Sequence, residues 1–240
     1  MAVRHLEGVA HGFLVLRTLE GATIAEGDLT QVVTGTRVST RVTFRFKDGS
    51  TQDETAVFSQ EGRFRLVSDR LVQSGASFPR PLEMSIDPPR GVVTVRYTDN
   101  GERKEETRHM SLPEDLANGL VPILLKNVDG DEPPKSFSYV VATPTPRLVR
   151  LSLTSVGRER FAADGRARAA THYVLHPELG AITGLFAGLL GKQPPDSHVW
   201  ILGGDAPAFV KSEQPLYVGG PLWRIELAAP TGQQGDVGRN

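Results

Sequence analysis

The chain contains no cysteine among its 240 residues. This absence excludes disulfides, thiolate catalysis and the cysteine-ligated zinc and iron–sulfur sites. It is typical of a cytosolic protein, and a periplasmic protein that needs no disulfide would look the same.

An excess of charge of either sign is also missing. Lysine and arginine total 27 against 28 aspartates and glutamates, which gives a formal net charge of -1. No long-range field would therefore steer the protein to nucleic acid or to an anionic membrane. Arg37, Arg41 and Arg45 form a basic stripe along one predicted strand, but acidic residues on neighbouring strands favour solvated cross-strand ion pairs there.

Long apolar runs are absent. The most apolar stretch, residues 180–191, is far shorter than the roughly 20 residues that span a bilayer. The N-terminal "MAVRHLEGVAHG" lacks the apolar centre of a signal peptide. We therefore expect no transmembrane segment and a cytoplasmic location for the chain as written, or a periplasmic one if the true N-terminus lies upstream.

The motifs of familiar enzymes and metal sites are missing as well. The sequence has no G-x-S-x-G, no P-loop, no G-x-G-x-x-G and no H-E-x-x-H. Asp48, Asp53 and Glu54 lie close together, but without the ligand spacing of a calcium loop, so we interpret them as part of a hairpin tip. We predict no metal and no cofactor, and we assign no catalytic residue.

What the sequence does show is alternation of apolar and polar residues. In residues 37–46, valine and phenylalanine alternate with arginine, serine and threonine. Asp48-Gly49 and Asn100-Gly101 supply the positive φ angles of tight hairpins. Similar apolar stretches separated by turn residues recur to the end of the chain, which is typical of a meander.

These patterns predict a mainly β fold: a large curved antiparallel sheet or incomplete barrel, with one or two short covering helices. We expect a single antiparallel domain over residues 1–230, with a possible internal seam near 129–134. The polar residues 231–240 are predicted to form a flexible tail.

One helix is predicted near the middle of the chain. Ser111 and Glu114 have capping-box spacing, and Pro113 suits a first turn. The leucines and the isoleucine that follow share one helical face, and Pro122 predicts a kink or an early end. A second apolar segment, residues 177–195, is either a loose helix or an apolar loop.

Two histidines, His172 and His176, are four positions apart in a segment rich in β-forming residues. On a helix this spacing would allow both to bind one zinc. On a strand the two side chains share a face but lie about 13 Å apart, since each residue advances about 3.3 Å. We therefore predict a strand and no joint metal binding, although His109 or His198 could be brought close to either ring by folding.

The C-terminal third concentrates the large aromatic residues among glycines. These rings either fill a core or line an apolar groove, with residues 181–190 as an apolar flap. The candidate ligand-binding residues of such a groove are Leu185, Phe186, Trp200, Phe209, Tyr217 and Trp223.

The order of elements, with long meandering strands, one capped helix in mid-chain and a late apolar insertion, resembles uncharacterised bacterial domains similar to lipoprotein-localisation carriers. That resemblance implies an incomplete antiparallel barrel around a helical lid, holding acyl chains inside. It carries no functional residue to this chain, and the chain departs from those families in showing no export signal.

Three functions follow from this reading. The leading one is a non-enzymatic β scaffold that binds an apolar or amphipathic, lipid-like small ligand, or a partner, on its concave face. The alternative is a hydrolase-like enzyme that uses an isolated histidine and a carboxylate, most plausibly His109, His172 or His198. The third is a purely structural protein with a filled core.

We expect the purified protein to carry no stoichiometric metal, because cysteine ligands are absent and the two histidines lie on a strand. Elemental analysis of the purified protein checks this directly. One zinc or iron per chain would contradict it.

Overall fold

The computed structural model describes residues 1–128, 134–163, 166–178 and 194–228, and fourteen strands within them form one antiparallel sheet. In chain order the strands are β1 (Ala10–Thr18), β2 (Thr23–Thr34), β3 (Arg37–Phe46), β4 (Thr51–Ser59), β5 (Arg65–Ser74), β6 (Leu82–Asp87), β7 (Val92–Asp99), β8 (Glu102–His109), β9 (Ser136–Val141), β10 (Arg147–Ala163), β11 (Arg166–Pro177), β12 (Ser197–Leu202), β13 (Ala208–Gln214) and β14 (Trp223–Leu227). A 3-10 turn, Pro88–Arg90, joins β6 to β7, and one α-helix, α1 (Val121–Lys126), lies between β8 and β9.

The sheet is two meanders joined along one pair of strands. Its order is β8-β7-β6-β5-β4-β3-β2-β1-β14-β13-β12-β11-β10-β9, so β8 and β9 are the two outer strands. The first and last strands of the chain, β1 and β14, pair with each other, with Leu16 opposite Ile225. The predicted fold class, a large antiparallel sheet with a short covering helix, is confirmed.

Alternation along the strands separates an inner face from an outer face. In β3 the side chains of Val38, Phe44 and Phe46 are buried, while Arg41 and Arg45 on the opposite face are exposed. The predicted pattern of this strand is therefore confirmed. The exposed arginines form ion pairs with carboxylates of neighbouring strands, as expected for a solvated face.

The predicted hairpins are present, with one difference. Gly49 has φ +85° and Gly101 has φ +82°, as their turns require. Asn100 also has a positive φ of 51°, whereas Asp48 does not. The first hairpin is closed by hydrogen bonds from Gly49 N to Phe46 O and from Phe46 N to Ser50 O, so a single left-handed residue completes the turn.

The helix begins later than predicted, and the capping role assigned to Ser111 is wrong. Residues 115–118 instead run beside β9: Ser138 N donates to Asp115 O, and Ala117 N donates to Ser138 O. The side chain of Asn118 both donates to Val140 O and accepts from Val140 N. These bonds satisfy the free edge of β9, so the helix starts only at Val121.

Proline at the start of α1 is well placed. Pro122 lies in the first turn of the helix, where a backbone N–H would have no intrahelical acceptor, so it neither kinks nor ends the helix. Within the described part of the chain, no helix is long and apolar enough to cross a bilayer.

The largest core lies between the inner face of the sheet and α1. Leu120, Leu124 and Leu125 of the helix region pack with inward-facing residues of both meanders, including Phe58 and Val199. A second cluster on the same face contains Leu16, Phe44, Phe46 and Phe78. Side chains therefore fill much of the interior of the fold.

The predicted seam at 129–134 lies almost wholly outside the described residues, as do the tail 231–240 and the apolar flap 181–190. Their predicted roles stay predictions.

Valine at Gly49 or Gly101 is expected to lower the free energy of unfolding by about 1–2 kcal/mol, because a β-branched residue resists positive φ. A Cβ would meet no atom within 4 Å at either position, so backbone strain is the whole effect. Chemical denaturation of each variant measures it.

Gly203→Val is the matched control, since Gly203 has equally open surroundings without a positive φ. Two turn variants as stable as this control would contradict the assigned turns.

Candidate functional site

Two carboxylic acids face the interior of the sheet. Glu54 on β4 shares the inner face with Ala56 and Phe58, and Asp69 on β5 lies directly opposite Ala56. Glu54 and Asp69 are therefore diagonal neighbours across two paired strands. We call them the acid pair.

A β-bulge turns Asp69 inward. The register between β4 and β5 shifts where Val57 faces Ser68 but Phe58 faces Leu66, which leaves Val67 as an extra residue. Leu66 faces the interior before the bulge, and Asp69 faces it after the bulge. Without the extra residue, regular alternation would have placed Ser68 inward instead.

The turn before α1 lies directly against the acid pair. A Cβ built on Gly119 would lie 2.5 Å from Ala56 Cβ, 3.1 Å from Asp69 Oδ1 and 3.7 Å from Glu54 Oε1. Both carboxyl oxygens thus approach one point beside the Gly119 backbone. Glycine is required here because any side chain would overlap Ala56 and because φ is +64°.

The Asp69 carboxyl group has no hydrogen-bond partner among the described residues. The exposed fraction of Asp69 is 2%, and neither carboxyl oxygen accepts a hydrogen bond from any residue that the structure describes. Burial, with the adjacent charge of Glu54 adding to it, raises the pKa of Asp69 well above its ordinary value. Burial also raises the pKa of Glu54 to about 7.

A tyrosine completes the surroundings of the acid pair. Burial raises the pKa of Tyr139 on β9, and the charges of Glu54 and Asp69 raise it further. Tyr139 therefore remains a neutral phenol that can donate or accept a hydrogen bond.

A strip of the inner face beside the acid pair stays partly accessible. Leu29, Val42 and Glu54 are successive cross-strand partners on β2, β3 and β4, and all three side chains are only partly buried. On the same face, Phe44 and Ala56 flank this strip and are buried. We call Leu29, Val42 and Glu54 the inner row. Glu54 is thus deeply surrounded by protein, yet it borders accessible space.

The histidines form a separate cluster on the outer face. His172 Nε2 on β11 lies 2.9 Å from His198 Nδ1 on β12, and Glu159 Oε1 lies 3.5 Å from His172 Nδ1. The His172 ring stacks on Trp200 at 4.1 Å, and Lys211 Nζ lies 4.0 Å from the centre of a Trp200 ring. Burial, and then the neighbouring His198, lower the pKa of His172.

The predicted strand for His172 and His176 is confirmed, because both lie on β11. The two rings have different partners: His176 Nδ1 contacts Asp196 Oδ1 at 2.5 Å, while His172 contacts His198. Of the two histidines proposed as companions, the fold brings His198 to His172. His109 lies at the end of the outer strand β8 and is exposed.

The predicted aromatic groove is not assembled as one surface. Trp200 packs on the outer face with Ala170 and Leu202, whereas Phe209 packs against the main core on the inner face. A register shift after Trp200 is the cause. Trp200 pairs with Lys211, but the next residue, Ile201, pairs with Phe209, so Phe209 shares the face of Ile201 and not that of Trp200. Leu185 and Phe186 lie outside the described residues.

Tyr217 and Trp223 come together in the second inner cluster. Their ring centres are 6.0 Å apart, and Trp223 also contacts Phe46. Ligand binding at any of the six predicted residues stays a prediction.

Residues 48–54 are predicted to form a hairpin tip, and the structure places their three acidic side chains in different surroundings. Asp48 accepts hydrogen bonds from Ser50 N and Ser77 Oγ, and Asp53 pairs with Arg41 on the outer face. Glu54 alone turns inward.

Sequence reasoning missed Asp69, although a signal was present. The apolar residues of this segment occupy even positions at Phe64 and Leu66 and an odd position at Leu71. Such a change of parity within one strand indicates a bulge, and here the bulge decides which polar residue faces inward.

Replacing the acid pair is expected to remove one component of the pH dependence of stability. The unfolded acids ionise near pH 4. In the folded protein burial raises the pKa of Glu54 to about 7 and raises the pKa of Asp69 well above its ordinary value. Their contribution to stability is therefore full below about pH 4 and is lost as the pH rises. The part that comes from Glu54, about 3 kcal/mol, is lost as the pH rises through about 7.

The difference between the wild type and the Glu54→Gln/Asp69→Asn variant, measured by urea unfolding at several pH values, isolates this component. The exposed pair Glu61→Gln/Glu102→Gln replaces two carboxyl groups by amides at exposed positions and serves as the control. A difference that does not change between pH 4 and 7 would contradict the raised pKa values.

Comparison with known proteins bears on the fold. No protein-family model matches the chain, and no curated protein matches it. The fold is similar to that in the crystal structure of a β-barrel-like protein of the domain of unknown function DUF1849 from Brucella abortus. The two share 11% sequence identity with a TM-score of 0.53, over 93% of this chain and 98% of that chain. At this identity the likeness shows the fold alone: a β-barrel-like domain.

Proposed function

We propose that the protein is a non-enzymatic β scaffold that binds an amphipathic small ligand on the concave, inner face of its sheet. The observation that carries this proposal is the inner row, because Leu29 and Val42 face inward beside Glu54 and remain partly accessible. Apolar side chains next to a few polar groups are the usual composition of a small-molecule site.

The inner row lies at the border between the two cores of the inner face. Leu29 and Val42 pack against the second cluster, while Ala56, next to Glu54, belongs to the main cluster with α1. A ligand chain placed along the row would extend the second cluster. This placement distinguishes the proposal from a carrier with an empty interior.

Two surface clefts of the described structure do not contain the inner row. One, of about 430 Å³, is lined by the N-terminal residues, Arg63 and α1, and the other, of about 550 Å³, lies along strands β4 to β7. Neither includes Leu29, Val42 or Glu54, although Asp69 contributes to the lining of the second. The inner row is therefore an open strip that would enclose a ligand in part, so we expect modest affinity.

A second function, the hydrolase-like alternative, has one observation in its favour. Glu159, His172 and His198 form a continuous contact chain of a carboxylate and two imidazoles. A carboxylate that orients an imidazole is the arrangement a general base needs. This array lies on the outer face, so such an activity would be independent of a ligand on the inner row.

We expect C12 to C18 amphiphiles to bind the delipidated protein saturably, with a blue shift of tryptophan emission. Trp223 lies in the cluster that the ligand would extend, and it is one of only two tryptophans in the chain. Affinity should increase with chain length, since each buried CH₂ contributes about 0.8 kcal/mol.

Val42→Asn should weaken binding, because it makes the inner row polar, whereas Val32→Asn should not. Val32 lies on the neighbouring strand β2 with an exposed fraction of 56%, which makes it the matched control. The absence of any shift below the micelle concentration, in protein that remains folded by circular dichroism, would contradict the proposal.

A further inference from the structure

We propose that the ligand of the inner row carries a primary ammonium head, and that Glu54 and Asp69 receive it. This inference rests on the proposed function and specifies the polar end of the same ligand. Four observations support it: the unpartnered state of Asp69, the contrast with the other polar groups of the interior, the buried acid that the chain itself neutralises, and the position of the pair.

The first observation is that the Asp69 carboxyl group has no donor among the described residues. The Asp69 side chain is almost fully buried, and both carboxyl oxygens lack a hydrogen-bond donor among the described residues. No described lysine or arginine pairs with Asp69 or with Glu54 beside it. Buried acceptors in folded proteins are nearly always satisfied, so an unsatisfied carboxylate needs an explanation.

The second observation is that two buried glutamines of the interior have hydrogen-bond partners. Gln73 donates to Gln52 Oε1 and to Leu216 O, at 2.8 Å and 2.7 Å. Gln31 donates to Gly8 O and to Glu7. Among the buried side-chain atoms that the structure describes, Asp115 Oδ1 and Trp200 Nε1 also lack a partner, but Asp115 pairs with Arg150 through its other oxygen. Asp69 is therefore the one described carboxyl group in which both oxygens are buried and without a partner.

The third observation is that a lysine of the chain neutralises another buried acid, Glu7. The Glu7 side chain is 7% exposed, and Lys126 Nζ lies 2.6 Å from its Oε1. An ammonium group thus compensates a buried carboxylate in this fold. The acid pair presents the same acceptor chemistry, with two carboxyl groups and no ammonium.

The fourth observation is that the acid pair lies at one end of the inner row. Glu54 belongs both to the row and to the pair, so a chain lying over Leu29 and Val42 leads to the carboxyl groups. An ammonium has three donors and no acceptor, which matches a group of carboxyl oxygens. A carboxylate head would be repelled there, and a hydroxyl would leave the charge uncompensated.

The test compares three probes of equal chain length, namely dodecylammonium, dodecanol and dodecanoate, at slightly alkaline pH and below their micelle concentrations. The wild type should bind dodecylammonium about tenfold more tightly than dodecanol, with dodecanoate weakest. In the Glu54→Gln/Asp69→Asn variant the preference for dodecylammonium over dodecanol should fall to within about twofold.

The control variant Glu61→Gln/Glu102→Gln removes the same charge from exposed positions and should keep the preference of the wild type. If the double variant of the acid pair does not fold, the single Glu54→Gln variant replaces it, since that side chain is partly accessible.

The outcomes separate the two proposals. Equal affinity for the three probes, tightest binding of dodecanoate, or an amine preference that persists without the acid pair would overturn the ammonium inference and leave the scaffold standing. No binding of any probe would overturn the proposed function as well.

Discussion

The contact between the Gly119 turn and Ala56 on β4 is the constraint on which the rest of the structure depends. After β8 the chain leaves one outer edge of the sheet, and it must cross the inner face before β9 forms the other outer strand. Only glycine permits the approach, at a distance where any side chain would overlap Ala56. The same crossing places α1 over the main core and brings the Gly119 backbone close to the carboxyl groups of the acid pair.

A difference between the two faces of the sheet follows from this closure. On the outer face, charges form exposed ion pairs, such as Arg41 with Asp53, which contribute little to stability. On the inner face, polar groups are desolvated and must find partners. Glu7 and Gln73 find them within the chain, whereas Asp69 has none in the part of the chain that the structure describes. An uncompensated acid lowers stability, and its presence beside accessible apolar side chains is the reason we propose a ligand that compensates it.

The fold was largely predictable from local pattern, and the site was not. Alternation in β3 and the glycines at 49 and 101 determine strands and turns through contacts close in sequence, and these predictions are confirmed. The start of α1 depends instead on hydrogen bonds between residues 115–118 and β9, about twenty positions away. The position of Asp69 depends on a bulge at Val67, and the separation of Trp200 from Phe209 depends on a second register shift. Such a shift moves the side chains of the following residues in that strand to the opposite face of the sheet. One unrecognised bulge is therefore enough to misplace a site.

The ionisation of the acid pair can be observed directly through the carbon-13 chemical shifts of the Asp69 and Glu54 carboxyl groups during a pH titration of the ligand-free protein. Asp69 should remain protonated well above its ordinary range, and Glu54 should titrate near pH 7. Assignment comes from the Asp69→Asn and Glu54→Gln variants. Titration of both carboxyl groups near pH 4, where exposed acids ionise, would contradict a buried and uncompensated pair.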